Sequence, residues 1–132
     1  MSDVTPAVDA LLAPEADSEL DDVVSEWTNV PDVAQKLGIE LSKVRQLIKD
    51  GHLLAVRRKG VQAIPADLVA NSEVMRFLPG VITLMRDGHY SDEEIVRWLY
   101  RPDDSLVGGS CIAELVAGRG TEIKRRAQAA GL

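Results

Sequence analysis

The chain of 132 residues is long enough for one compact domain, or a small domain with an appendage, and for burial of a real core. Its hydrophobic fraction of 45% is that of a globular protein, and it holds no run of about 18 apolar residues, which excludes a membrane-spanning helix. Cys111 is the single cysteine, so an internal disulfide is excluded; with no basic, apolar leader at the start, a soluble cytoplasmic protein is expected.

A net charge of −6 argues against a nucleic-acid partner only if it is spread evenly, and it is not. Residues 1–26 hold eight acids and no base, which leaves +2 for the remainder. Residues 27–66 carry seven bases (Lys36, Lys43, Arg45, Lys49, Arg57, Arg58, Lys59) against three acids, a local excess of +4. Local sign governs docking on phosphate.

Residues 1–17 are acidic and poor in large apolar groups, the composition of a disordered tail. Val4, Val8, Leu11 and Leu12 nonetheless share a helical face, which would suit folding on a partner. Leu20, Val23, Val24 and Trp27 repeat that spacing and are expected to begin the folded region.

Next, Asn29 is placed to cap a helix with Pro31 in its first turn. Val30, Val33, Ala34 and Leu37 give that helix one apolar face, and Gly38 stops it. A second helix runs from Leu41 to about Asp50, burying Val44, Leu47 and Ile48. Its opposite face shows Ser42, Lys43, Arg45, Gln46 and Lys49, and Gly51 ends it. Two short helices joined by a tight turn with Gly are the mark of a helix-turn-helix. Glu40 stands where Ser or Thr would cap the second helix, so a weak cap is expected there.

Two β-rich runs follow, Leu53–Arg57 and Val61–Ile64, around Arg58-Lys59-Gly60. They read as a hairpin wing tipped with Arg57, Arg58 and Lys59. Pro65 ends the ladder and presets another helix.

Beyond residue 70 the pattern is helical. Val74, Phe77 and Leu78 precede Pro79-Gly80, and Val81, Ile82, Leu84 and Met85 follow. Gly88 breaks the pattern, and Ser91-Asp92-Glu93-Glu94 forms a capping box for a helix burying Ile95, Trp98 and Leu99. Arg101–Gly109 reads as a loop, and Ile112–Val116 and Glu122–Ala130 as the last helices. The expected architecture is mostly α with a small β-hairpin wing: tail 1–17, winged helix-turn-helix 18–70, C-terminal helical subdomain 71–132.

The segment Val30–Pro65, with its AxxLG-like turn (Ala34–Gly38), SKVRQLIKDGHL (Ser42–Leu53) and V-x-I-P ending, resembles the excisionase and MerR-like winged helix-turn-helix group. More narrowly, the chain after residue 20 resembles a small actinobacterial family of DNA-binding regulatory proteins that includes a mycobacterial substrate of a Ser/Thr protein kinase. The segments that carry this are VPDVAQKLG (Val30–Gly38), LPGVITLMRDGHYSDEEIVRWLYRPDDSL (Leu78–Leu106) and EIKRRAQA (Glu122–Ala129). The resemblance implies duplex DNA binding, and a kinase that weakens it by modifying a tail threonine, where Thr5 is the only one present. Trp98–Gly109, of the form W-L-x-x-P-x-x-x-L-x-G-G, also looks like the toxin-binding helical domain of certain antitoxins.

In a helix-turn-helix the second helix lies in the major groove with its early residues near base edges. Ser42, Lys43, Arg45 and Gln46 hold those places here; Arg45 suits a guanine edge and Gln46 an adenine edge. Lys49 and Lys36 suit phosphates, and Arg57, Arg58 and Lys59 the minor groove or backbone beside it. Trp98, Tyr100 and the last helix are candidates for a homodimer or protein-partner surface. The acidic tail would compete with DNA for the basic face, the more so once Thr5 is phosphorylated. The competing reading is an antitoxin-like adaptor acting through the C-terminal helices. His52, His89 and Cys111 lack metal-ligand or catalytic spacing, so neither an enzyme nor a metal or other cofactor is expected.

Overall fold

The computed structural model describes Leu20, residues 23–71 and residues 75–132. The tail 1–17, Thr5 and Val74 lie outside the described residues. Strand β1 (Trp27–Asn29) leads into helices α1 (Val30–Leu37) and α2 (Leu41–Lys49). Strands β2 (Val56–Arg58) and β3 (Val61–Pro65) follow, then a 3-10 turn (Ala66–Val69). Four helices complete the chain: α3 (Leu78–Asp87), α4 (Asp92–Tyr100), α5 (Cys111–Val116) and α6 (Thr121–Ala130).

Local chemistry sets most of these boundaries. Asn29 Oδ1 accepts from the Asp32 amide at 2.8 Å, with Pro31 inside the first turn of α1. Gly38 closes α1 at φ 71°, a conformation cheap only without a Cβ. The capping box of α4 is complete: Ser91 Oγ accepts from the Glu94 amide at 3.2 Å, and the Ser91 amide donates to Glu94 Oε1 at 2.8 Å. Pro79 sits in the first turn of α3, where its missing N–H is no loss, so the helix runs through Pro79-Gly80.

The sheet is larger than the expected hairpin. Its order is β1-β3-β2, both pairs antiparallel, with Thr28 opposite Ile64 and Arg57 opposite Gln62. Trp27 therefore belongs to a strand and does not extend the helical spacing of Leu20 and Val23. Pro65 takes the last rung of the central strand, and a 3-10 turn replaces the expected helix after it.

One core runs through the whole described molecule. Val33, Val44, Ile48 and Leu54 of the helix-turn-helix join Ile82, Met85 and Leu99 of the later helices in a single cluster. Glycines allow the closest approaches. A Cβ on Gly120 would stand 2.2 Å from the Phe77 ring. Tyr100 was a candidate for a partner surface, but it is only 7% exposed. Its hydroxyl donates to Asp67 Oδ2 at 2.8 Å, tying α4 to the 3-10 turn. Burial first, then the Asp67 carboxylate, push the Tyr100 phenol far above its usual range. Among the described residues, no helix is long and apolar enough to cross a membrane.

Candidate nucleic-acid interface

Helix α2 divides cleanly into two faces. Val44 and Ile48 are buried and Leu47 is half-buried, while Ser42, Lys43, Arg45, Gln46 and Lys49 are all exposed. A 3.6-residue repeat dictates this separation, since i, i+3 and i+4 share a face. Glu40 makes no side-chain cap bond, in keeping with the weak cap expected there. Its carbonyl instead accepts from the amides of Lys43 (3.0 Å) and Val44 (3.1 Å). Gln46 Nε2 donates to Asp50 Oδ1 at 2.9 Å, so this amide is held along the helix surface. Lys36, in the last turn of α1, is exposed as well.

The wing turns on two residues. Lys59 at φ 52° and Gly60 at φ 81° both lie in the left-handed region, the pairing that a tight type I′ hairpin needs. Lysine at that place is unusual, since Asn or Gly meets the demand at lower cost. Lys59 is exposed at the tip. Arg57 is exposed too, and its Nη1 donates to the Gly60 carbonyl at 3.0 Å, bracing the turn.

Arg58 behaves differently from its neighbours. Its guanidinium lies over the Trp27 ring, 4.6 Å from the centroid, and the side chain is half-buried. Strand register explains this. Arg58 pairs with Val61 and Trp27 with Pro65, and alternate residues of β3 share one face, so both side chains stand on the same side of the sheet. Arg57 stands on the other. Arg58 thus packs on the sheet, whereas the sequence grouped it with the tip.

The helix and the wing converge on a shallow groove of about 520 Å³, lined by Asn29, Val30, Pro31, Arg45, Val61 and Gln62. Arg45 is therefore the recognition-face residue that also borders the wing. Sequence reading missed Gln62 and Val61. Val61 is 60% exposed and Gln62 is exposed beside it, on a strand whose last three residues, Ala63 to Pro65, are buried. The signal available was the polar Gln62 beside a turn, which alone could not say which side of the hairpin faces α2.

Away from this surface, Cys111 is buried, and burial raises its thiol above the usual range, the reverse of an activated nucleophile. Among the described residues, no three His, Cys, Asp or Glu side chains gather where they could hold a metal ion.

The chain is 42% identical over 113 residues to the DNA-binding protein Rv2175c of Mycobacterium tuberculosis, covering 76% of this chain and 77% of that one. It belongs to the Rv2175c family. Residues 6–69 match the family described as "DNA-binding protein Rv2175c, wHTH domain", and residues 75–131 match "Rv2175c C-terminal domain of unknown function". The fold is similar to the NMR structure of Rv2175c, with a TM-score of 0.74 at 40% identity, over 81% of this chain and 82% of that one. The actinobacterial winged helix resemblance read from the residues is thereby borne out, as is the mostly helical fold with a small β wing. The observed α1-turn-α2 unit and hairpin are the parts of this Rv2175c-family chain that correspond to the helix-turn-helix and wing of its family description.

Proposed function

We propose that this Rv2175c-family chain is a regulatory protein that binds duplex DNA. Helix α2 enters the major groove, and the wing rests on the adjacent backbone or minor groove. The observation that carries the reading is the exposed polar face of α2, whose Arg45 opens onto the groove shared with the wing. The family description supports it. Ser42, Lys43, Arg45 and Gln46 stand nearest the base edges, with Arg45 suited to guanine. Gln46 reads an adenine edge only by giving up its bond to Asp50. Lys49, Lys36, Arg57 and Lys59 neutralise phosphates, and Arg58 holds the wing to β1 through Trp27. The protein then acts at the nucleoid.

The acidic segment 1–17 competes with DNA for this face as a tethered polyanion. Phosphorylation of Thr5 by a Ser/Thr kinase would add about −1.5 to −2 charges and deepen the inhibition. The test is fluorescence anisotropy with random duplex DNA across a salt series, for the full chain and for Lys43→Ala/Arg45→Ala. Salt-sensitive binding that the variant loses is expected. No binding by the wild type at low salt, with residues 1–17 deleted, refutes the reading and turns attention to the C-terminal helices.

A further inference from the structure

The C-terminal end of α2 is held by a residue from the later helices. Arg86, in the last turn of α3, forks onto Asp92 at the start of α4: Nε to Oδ1 is 3.0 Å and Nη2 to Oδ2 is 2.8 Å. The same guanidinium reaches α2. Nη2 donates to the Ile48 carbonyl at 3.0 Å and Nη1 to the Lys49 carbonyl at 3.2 Å. Three helices thus meet at one side chain, which is only partly exposed.

A helix leaves its last four carbonyls without partners, and here all four are occupied. Gln46 O accepts from the Asp50 amide and Leu47 O from the His52 and Leu53 amides. Ile48 O accepts from the Gly51 amide and from Arg86; Lys49 O accepts from Arg86. A cation at this end also opposes the negative pole of the helix. Gly51 makes the turn that leaves α2, in a conformation that a side chain would strain. It sits at φ 82°, and a Cβ there would meet Arg86 Nη1 at 3.4 Å and Ile82 Cγ2 at 3.5 Å.

We propose that the C-terminal helices set the angle of the recognition helix for DNA, and that Arg86, locked by Asp92, is the positioning residue. This rests on the DNA-binding reading above. Arg86 need not touch DNA to act. A planar fork that bonds a carboxylate on one edge and two carbonyls on the other fixes α2 both along its axis and in rotation, which a point charge cannot do. The face that carries Lys43, Arg45 and Lys49 is thereby presented at one angle.

The test compares full-length wild type with Arg86→Gln, Asp92→Asn, the double variant and Arg86→Lys. Two quantities are read at a temperature where circular dichroism shows every variant folded. The first is hydrogen exchange at the Asp50, Gly51, His52 and Leu53 amides. The second is affinity for random duplex DNA across a salt series. Expected are exchange faster by roughly tenfold at those four amides and affinity lower by about tenfold, with the salt slope unchanged. The double variant loses no more than either single one, because both break the same clamp. Arg86→Lys keeps the fold and the charge but regains little affinity. Three results overturn the proposal. One is unchanged exchange in the folded variants. Another is full rescue by lysine. The third is a slope reduced by about 0.9 in Arg86→Gln with Asp92→Asn unaffected, which would make Arg86 a direct phosphate contact. Failure of the DNA reading looks different: the wild type itself does not bind, while the exchange arm still decides the clamp.

Discussion

Arg58 and Lys59 are neighbours with the same charge in different settings, Arg58 over the Trp27 ring and Lys59 exposed at the wing tip. That separation is testable by a double dissociation. Lys59→Asn removes a charge from the wing tip and puts at φ 52° a residue that tolerates the left-handed region. Thermal stability should hold or rise by about 2–4 °C. If Lys59 neutralises one phosphate, the log–log salt slope of DNA binding falls by about 0.9. Raising salt about fourfold then weakens the wild type by roughly 3.5 times more than the variant. Arg58→Ala should do the reverse. It deletes a stack over Trp27 at 4.6 Å, of the kind worth about 0.5–2 kcal/mol, together with the packing of a half-buried stem. At about 4 °C per kcal/mol for a domain near 100 residues, the midpoint drops by several degrees. The salt slope of the folded variant stays that of the wild type. Thermal melts by circular dichroism and anisotropy titrations at four salt concentrations measure both effects. A reduced slope for Arg58→Ala with an unchanged midpoint would refute the assignment of that side chain to the sheet.

Two further outcomes follow from the packing. Tyr100→Phe strips the half-buried Asp67 carboxylate of its phenol donor, which costs about 1–3 kcal/mol and should lower the melting midpoint while leaving DNA affinity intact; an unchanged midpoint would count against that bond. The second concerns acid. Glu114 is buried and accepts from the Gly108 amide at 2.6 Å and from Arg119 at 2.9 and 3.1 Å, and the Arg119 bonds, then the Gly108 amide, hold its carboxyl below the usual range. A lowered folded value stabilises the fold fully above the unfolded pKa of about 4.3, and that stability is lost as the pH falls through the folded value. Glu114→Gln should therefore melt lower than wild type at neutral pH and converge with it as the pH falls below the folded value, as calorimetry from neutral into the acid range would show. A constant gap at all pH values would be the contrary result.

Much of this protein is written in short-range chemistry. Asn29, Gly38, Gly51 and Ser91 announce helix ends because caps act within three or four residues of themselves. The face of α2 is readable for the same reason, since a helix displays its sequence at a known period. The charge contrast between residues 1–26 and 27–66 needs no structure at all. Other features depend on partners far along the chain. Strand β1 is three residues long, too short for a pattern, and exists because β3 pairs with it. Arg58 looks like a tip residue until strand register puts it on the face of Trp27. Tyr100 and Arg86 carry no sequence signal for their roles; Asp67, Ile48 and Lys49 reach them only when the later helices dock on the helix-turn-helix. The sequence by itself thus determines which polar, basic face α2 exposes, since periodicity and capping are local. Only the tertiary structure decides how that surface is braced, because hydrogen bonds between distant elements exist only once the core has brought them together.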